Sequence, residues 1–207
     1  MEILYHDREI VVCIKPVGID SESQLPSALK EALGGEIYTL HRLDLNVGGV
    51  MVYARTKNMA AALSRAIQDG DMIKEYVAVV HGEVPESGDW EDLLWKDSKK
   101  NKVFVVNRER KGVKKARLEY KRLRVEKGVD ETETRSLVRI RLYTGRSHQI
   151  RVQFSSRNYP LVGDHKYGSR AKETEPMLFS CRITFPYKGE TRSFEAMPDW
   201  AQPGETE

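Results

Sequence analysis

The sequence predicts an α+β fold, in which a single domain is built on a central mixed, mostly antiparallel β-sheet flanked by short helices and loops. Segments rich in β-branched and aromatic residues outnumber the helical segments and often follow one another directly along the chain. The length of 207 residues is typical of one large domain. A domain of this size buries roughly 70% of its unfolded surface, which is enough to enclose an active site.

The predicted strands end at glycine, proline or a charged turn. They are expected at residues 9–15, 49–55, 74–84, 102–106, 116–125, 136–143, 177–187 and 191–196. Within 136–143 the apolar residues alternate with Arg139 and Arg141, which predicts one apolar and one basic face. Lys188 and Gly189 separate the last two strands and predict a hairpin.

Three helices are predicted from apolar residues at helical spacing. The first covers residues 25–33 and stops at a glycine pair. The second has Asn58 as its expected N-cap and ends at Gly70. The third covers residues 147–156, with Ser147 as its expected N-cap.

Positive charge is concentrated in one part of the chain. The segment from Lys96 to Lys127 contains fourteen Lys or Arg residues and four Asp or Glu residues, a net charge of +10, whereas the whole chain carries only +3. We call residues 96–127 the basic insert. Such a concentration is typical of a surface that binds a polyanion, because clustered phosphate contacts release counterions. An ordinary solvated hairpin is the alternative interpretation.

Cysteine content and hydropathy limit the class of protein. Cys13 and Cys181 are the only cysteines and lie far apart in the sequence, so a disulfide framework or a CxxC metal pair is not indicated. No apolar run approaches the ~18–20 residues that a membrane span requires. These features predict a cytoplasmic protein that does not insert into a membrane.

Two polar clusters are candidates for chemistry. The first is residues 41–44, His-Arg-Leu-Asp, just before a predicted buried strand. The second is residues 145–151, at a junction between a strand and a helix. On that helix His148, Arg151 and Ser155 share one face, which can line a groove. Each cluster alone is more often a structural ion pair than an active site.

Taken together, the motifs resemble those of RluA-type pseudouridine synthases. The similar segments are HRLD at 41–44, KEYVAVVHG at 74–82, GRSHQIRVQF at 145–154 and VGDHKYG at 162–168. Both ends of the chain, at 3–19 and 185–200, are also similar to that family. Where family members commonly continue HRLD with a Thr-Ser-Gly element, this chain has Val47, Gly48 and Gly49.

The resemblance implies the pseudouridine synthase fold and an isomerase that converts uridine to pseudouridine in structured ribosomal or transfer RNA. The reaction moves uracil from its nitrogen 1 to its carbon 5 and needs no metal or other cofactor. Three residues match the family's catalytic positions: Asp44, Tyr76 and Arg146. Asp44 is expected to attack the sugar, attack the base or abstract a sugar proton. Arg146 is expected to keep the carboxylate of Asp44 charged, and Tyr76 is expected to stack on the flipped uracil.

Further residues are expected to bind the substrate. Arg42 is expected to fill the gap left by the extruded base or to bind a phosphate, with a salt bridge on the same loop as the alternative. Ile150 is expected to form the apolar floor of the pocket, with an ordinary core position as the alternative. The other candidates for RNA contact are His148, Arg151, Lys99, Lys100, Lys102, Arg139 and Arg141.

The chain is expected to be one catalytic domain over residues 1–207 that includes the basic insert, without a separate N-terminal RNA-binding domain. RNA is the expected partner of a monomeric protein, with no metal. Two alternatives remain open. One is an RNA-binding protein of the same fold without catalytic activity, and the other is a base hydrolase, which usually needs a second acid.

Overall fold

The computed structural model describes residues 1–128 and 133–202. In chain order the strands are β1 Glu2–His6, β2 Ile10–Lys15, β3 Tyr38–Thr39, β4 Gly48–Ala54, β5 Ile73–His81, β6 Ser87–Asp97, β7 Lys102–Val106, β8 Val113–Lys127, β9 Thr134–Leu142, β10 Leu178–Tyr187 and β11 Glu190–Glu195. The helices are α1 Gln24–Leu33, α2 Lys57–Asp69 and α3 Gln149–Ser155. The chain divides into two compact units, Met1–Glu75 with the segment from Phe179, and Tyr76–Leu178. The expectation of a single domain stays a prediction.

The first unit contains a mixed sheet in the order β1-β2-β4-β10, with β3 paired to β4 and β11 to β10. The β4–β10 pair is parallel and the other pairs of this unit are antiparallel. Apolar side chains from the strands, including Ile10, Val52 and Phe185, pack with Leu63 of α2 in one core. The predicted strands at 9–15 and 49–55 and the predicted final hairpin are confirmed.

Helix α2 begins two residues earlier than expected. Its N-cap is Thr56, whose side-chain oxygen accepts a hydrogen bond of 3.2 Å from the backbone N–H of Met59. The prediction of Asn58 as the cap was therefore wrong, because the chain is still extended at Thr56 and already helical at Asn58. The helix ends at Gly70 in the left-handed conformation, as predicted.

The second unit contains a sheet in the order β5-β9-β8-β6-β7. The basic insert forms the end of β6, all of β7 and most of β8, paired as antiparallel neighbours. Strand β6 was not predicted, because its acidic residues and Gly88 obscure the alternating pattern. Its Trp90 packs against Tyr120 and Phe154, with ring centroids 4.6 and 4.7 Å away. This aromatic cluster joins the sheet to α3.

Helix α3 begins after His148, whose φ of +50° places it in the left-handed region. The prediction of Ser147 as the N-cap was wrong for that reason. The side-chain oxygen of Gln149 instead organises the preceding turn. It accepts hydrogen bonds from the backbone N–H of Arg146 at 3.0 Å and from the hydroxyl of Thr144 at 2.8 Å.

Both cysteines lie inside the first unit. Cys13 on β2 and Cys181 on β10 have no exposed surface. Burial raises the pKa of the Cys13 thiol to about 12. None of the helices in the described ranges is long and apolar enough to span a membrane.

Two glycines begin β4, where the strand lies close to the backbone of its neighbours. Gly49 has a φ of +129°, and a Cβ atom there would lie 2.4 Å from the carbonyl oxygen of Ser180 on the neighbouring strand. At Gly48 a Cβ atom would lie 3.2 Å from the carbonyl oxygen of Lys15. At Gly48 and Gly49 this buried strand start therefore has almost no space for a side chain.

His41 continues the pairing of β4 where β3 ends. Its Nε2 accepts a hydrogen bond of 3.2 Å from the backbone N–H of Val52. A protonated ring could not accept this bond, and Nδ1 has no hydrogen-bond partner among the described residues. Desolvation, together with the charge of Lys74, lowers the pKa of His41 from 6.5 to about 3. His41 therefore stays neutral in the folded protein near neutral pH.

We expect Gly49→Ala to destabilise the first unit by about 3 kcal/mol or more, because the new Cβ meets backbone atoms and the φ angle is strained. Gly70→Ala is the matched control. Gly70 also has a positive φ, +83°, but nothing lies within 4 Å of its Cβ position, so we expect a loss of only about 1 kcal/mol. Urea unfolding of both variants tests this, and equal losses would contradict it.

We expect His41 to make stability depend on pH between about 6.5 and 3. Its pKa is lower in the folded state, so acid favours the unfolded state, which binds the proton more tightly. In His41→Gln the amide oxygen can accept the Val52 hydrogen bond without titrating. Between pH 7 and pH 5, the wild-type free energy of unfolding should fall by about 2 kcal/mol more than that of the variant. Parallel curves from urea unfolding would refute this assignment.

Candidate active site

Asp44 begins a tight turn that is anchored on both sides. Its carbonyl oxygen accepts a hydrogen bond of 3.0 Å from the backbone N–H of Val47. Before it, the backbone N–H and carbonyl of Leu43 both bind the hydroxyl of Ser21. After it, the carbonyl of Leu45 accepts a bond of 2.8 Å from the N–H of Gly18. The half-buried Asp44 is therefore presented from a loop with a defined backbone path.

A buried lysine lies beside this loop. The Lys15 ammonium is fully buried and donates to the carbonyl oxygens of Pro16, Ile19 and Leu45 at 2.9, 2.8 and 3.2 Å. Burial lowers the pKa of Lys15 from 10.5 to about 8, while the negative charges of Asp20 and Asp44 act in the opposite direction. Lys15 therefore supplies a positive charge within electrostatic range of the Asp44 carboxylate.

Sequence reasoning missed Lys15. The available signal was a lysine that ends an otherwise apolar strand, IVVCIK, directly before Pro16. A charged residue in such a run needs several partners when it is buried. Its partner Leu45 lies 30 residues away in the sequence, so the contact could not be read from local spacing.

Arg42 and Tyr76 have contrasting environments. Arg42 is exposed in the first unit and forms a 2.9 Å ion pair with Glu22. Tyr76 belongs to the second unit and is 6% exposed on β5. A ring held in a buried strand keeps a fixed orientation, as a stacking platform requires.

The turn before α3 holds Arg146 at the end of the sheet in the second unit. Arg146 is exposed, and its Nε donates a hydrogen bond of 2.9 Å to the carbonyl of Lys115 on β8. The buried Gln149 accepts the Arg146 N–H and donates to the carbonyl of Arg117 at 3.1 Å. Gln149, which sequence reasoning did not select, therefore sets the path of this turn. The pairing of Arg146 with Asp44 stays a prediction.

The predicted shared face of α3 packs against Tyr167. His148 Nδ1 lies 2.8 Å from the Tyr167 hydroxyl, and the hydroxyl of Ser155 donates to the Tyr167 carbonyl at 2.6 Å. Arg151 is 4% exposed, lies over the Tyr167 ring, and binds both oxygens of Asp164 at 2.7 and 2.9 Å. The expected common face is present, but a buried network occupies it. Arg151 therefore takes part in a buried ion pair with Asp164, and its expected contact with substrate stays a prediction.

The remaining expected contacts differ in exposure. Ile150 is 4% exposed, as a residue in a pocket floor or an ordinary core residue would be. Lys99 and Lys100 are exposed in the turn between β6 and β7, where both backbone N–H groups bind Asp97. The ammonium of Lys102 instead lies over two aromatic rings, 5.3 Å from the Tyr167 centroid and 5.8 Å from the Phe104 centroid.

Arg139 and Arg141 point to the same side of β9. They lie opposite Lys121 and Glu119 of β8, whereas Ile140 between them is fully buried. The predicted division of this strand into an apolar and a basic face is therefore confirmed.

Comparisons with known proteins agree with these motifs. A family model described as RNA pseudouridylate synthase matches residues 9–156. The chain is 32% identical over 217 residues to the dual-specificity RNA pseudouridine synthase RluA of Escherichia coli (strain K12), covering 96% of this chain and 93% of that protein. It is 30% identical over 196 residues to tRNA pseudouridine synthase C of Pectobacterium carotovorum, covering 87% of this chain. This chain spans about half the length of that relative, 52%.

Solved structures share the fold. The structure titled human RNA pseudouridylate synthase domain containing 1 superimposes with a TM-score of 0.83 at 21% identity, covering 95% of this chain and 83% of that one. The structure titled human RNA pseudouridylate synthase domain containing 4 superimposes with a TM-score of 0.77 at 24% identity, covering 96% of this chain and 89% of that one. These similarities confirm the expected α+β pseudouridine synthase fold.

The matched region covers well over half of the chain and includes the HRLD turn, β5 and the turn that holds Arg146. The relative of similar length is matched almost from end to end. The chain belongs to the RNA pseudouridylate synthase family.

Proposed function

We propose that this protein isomerises uridine to pseudouridine in structured ribosomal or transfer RNA, with Asp44 as the catalytic carboxylate. The observation that carries the proposal is the anchored turn that presents Asp44 beside the buried ammonium of Lys15. Named relatives support the substrate class, because their names specify tRNA, the large ribosomal subunit or dual specificity.

The reaction is balanced without an oxidant, a reductant or a second substrate. The bond between nitrogen 1 of uracil and the anomeric carbon breaks, and a bond from carbon 5 to that carbon forms. The proton lost from carbon 5 is matched by a proton gained at nitrogen 1. A carboxylate that acts on the sugar or the base must be ionised, and nearby positive charge favours that form.

Each remaining residue has a defined part in the proposal. Lys15 supplies positive charge for Asp44 from the interior of the unit that contains both residues. Arg146, which matches the family's motif, supplies a second positive charge. Tyr76 provides the ring on which the extruded uracil stacks, and Ile150 provides apolar floor. Arg151 acts indirectly, because its ion pair with Asp164 holds the start of α3.

RNA binding is assigned to cations that are exposed or, for Arg139, half-buried. Lys99 and Lys100 in the turn of the basic insert, Arg42 of the HRLD segment, and Arg139 and Arg141 on β9 are assigned the phosphate contacts that position the RNA. His148 is assigned an indirect part in RNA binding, through its hydrogen bond to the Tyr167 hydroxyl. The proposal describes a monomeric cytoplasmic enzyme that uses no metal or other cofactor.

We expect Asp44→Asn to lower the rate of pseudouridine formation by roughly 10²–10⁴-fold, because the variant keeps the shape of the side chain but not its charge. RNA affinity and the free energy of unfolding should change little. Total RNA from cells lacking the gene is the substrate, and pseudouridine and free uracil are quantified by mass spectrometry of nucleosides and bases. Release of free uracil would support the base-hydrolase alternative.

Asp20→Asn is the matched control for this experiment. Asp20 is the other carboxylate whose charge acts on Lys15, but its oxygen caps the turn before α1 by binding the N–H groups of Glu22 and Ser23. An asparagine can accept the same bonds, so we expect pseudouridine formation to persist. Equal activity of the Asp44 and Asp20 variants would reject Asp44 as the catalytic carboxylate.

We expect the double variant Lys99→Ala/Lys100→Ala to bind RNA more weakly and with a smaller dependence on salt. For every phosphate that the variant no longer neutralises, the slope of log K against log salt should become shallower by about 0.7–0.9. The control is Lys57→Ala/Arg65→Ala on α2, which removes the same charge from exposed positions. Fluorescence anisotropy over a range of salt concentrations measures both. Identical slopes for the two variants would mean that the insert turn is ordinary solvated surface.

A further inference from the structure

One face of the sheet in the second unit carries charged and aromatic side chains at alternate positions. On this face of β8 lie Lys115, Arg117, Glu119 and Lys121, whereas Leu118 and Tyr120 between them are buried on the other face. The register places Glu119 opposite Arg141 of β9 and Arg117 opposite Glu91 of β6. Tyr143 follows β9 and donates its backbone N–H to the carbonyl of Arg117 at 3.1 Å.

The Tyr143 ring is flanked by two guanidinium groups. The Arg117 Cζ lies 4.4 Å from the ring centroid and the Arg141 Cζ lies 5.0 Å from it. We call these three side chains the Tyr143 array. Tyr143 is 40% exposed, the side chain of Arg117 is 42% exposed, and Arg141 is exposed. All members of the array are therefore accessible to a ligand.

The array is held in a fixed geometry. Arg117 forms a two-pronged ion pair with Asp89, with Nε–Oδ1 at 3.0 Å and Nη2–Oδ2 at 2.8 Å. The Tyr143 hydroxyl is hydrogen-bonded to Glu119, which raises the pKa of the tyrosine. Because these carboxylates hold the Arg117 guanidinium and the Tyr143 ring in advance, a ligand that stacks on them loses less entropy on binding.

The position of the array relates it to the candidate active site. Tyr143 precedes Arg146 by three residues, and Arg146 binds the carbonyl of Lys115, two residues before Arg117. The array therefore borders the turn that carries a predicted catalytic residue. Lys121, Arg139 and Lys115 on the same face add positive charge around it.

We propose that the Tyr143 array binds an unpaired nucleobase of the RNA, next to the nucleotide that enters the active site. The proposal rests on the proposed function for the identity of the ligand. Aromatic rings and guanidinium planes are the groups on which unpaired bases stack in RNA-binding proteins. A base within a duplex has both faces covered by its neighbours, so the array selects single-stranded or loop nucleotides.

Photocrosslinking gives a direct test of position. A single-stranded RNA 12-mer containing 5-bromouridine is irradiated with the full-length protein, and the complex is digested with trypsin. Cleavage after Arg141 and Arg146 releases the peptide Leu-Tyr-Thr-Gly-Arg, in which Tyr143 is the only aromatic residue. We expect a nucleotide adduct on this peptide. Adducts elsewhere in the chain without one on this peptide would overturn the proposal.

Two substitutions separate stacking from charge. Tyr143→Phe keeps the ring, so its affinity for the single-stranded 12-mer should stay within about twofold of wild type. Tyr143→Leu removes the ring, so its affinity should fall roughly 5- to 150-fold, the range that corresponds to the loss of one stacked base. Its salt slope should not change, and its affinity for a duplex RNA of the same length should change less than twofold. Arg65→Ala on α2 is the control for nonspecific loss of affinity.

The outcomes distinguish this proposal from the proposed function. If wild-type protein forms pseudouridine and Tyr143→Leu binds the 12-mer as tightly as wild type, the array proposal is wrong and the function stands. Equal weakening of single-stranded and duplex binding would also overturn it, because a stacking site distinguishes the two. If the adduct forms on Tyr143 but no pseudouridine appears in any RNA, the array is supported and the proposed function fails.

Discussion

The ammonium group of Lys15 is fully buried and binds three carbonyl groups from two segments of the chain. Pro16 and Ile19 belong to the turn that follows β2, and Leu45 belongs to the turn that begins at Asp44. A single buried cation thus ties the end of a core strand to the loop that carries the candidate catalytic carboxylate. Each carbonyl would be left without this partner if the lysine were replaced by an apolar residue.

The charge on Lys15 results from opposing effects. Burial alone disfavours the ammonium, whereas the three carbonyls and the carboxylates of Asp20 and Asp44 favour it. With a pKa of about 8, the group is mostly charged at neutral pH. A neutral amine has one proton fewer to donate, so alkaline conditions weaken the tether to the Asp44 turn.

Tyr167 has a comparable structural role in the second unit. Its hydroxyl accepts a hydrogen bond from the backbone N–H of Val103 in β7 and contacts His148, while Arg151 lies over its ring. The basic insert is therefore connected through one tyrosine to the motif that contains Arg146. The RNA contacts proposed for the insert and the turn that carries Arg146 therefore depend on the same tyrosine.

The sequence contained enough information to predict the local elements and the family. The alternation around Arg139 and Arg141 is a local property, and it correctly predicted the two faces of β9. Helical spacing grouped His148 with Arg151, and both contact Tyr167 although His148 precedes the helix, but spacing cannot reveal which surface a helix contacts. The partner Asp164 lies 13 residues farther along, so the burial of Arg151 became visible only in three dimensions.

The helix caps and Lys102 also depend on tertiary contacts that the local sequence pattern does not reveal. Thr56 and Asn58 are both suitable capping residues, and the choice depends on where the chain leaves the extended conformation, which packing decides. Lys102 looked like any other cation of the basic insert. Its position over Tyr167 depends on a tyrosine 65 residues away, a contact that no local pattern encodes.

The enclosure of both native thiols has a practical consequence for chemical labelling. A thiol reacts with alkylating reagents when it is exposed and ionised, and Cys13 and Cys181 are enclosed in β2 and β10. Their reaction rate therefore reports the opening of the core of the first unit. A cysteine introduced at an exposed site such as Lys99 would react far faster, so a fluorophore can be attached there while both native cysteines are kept.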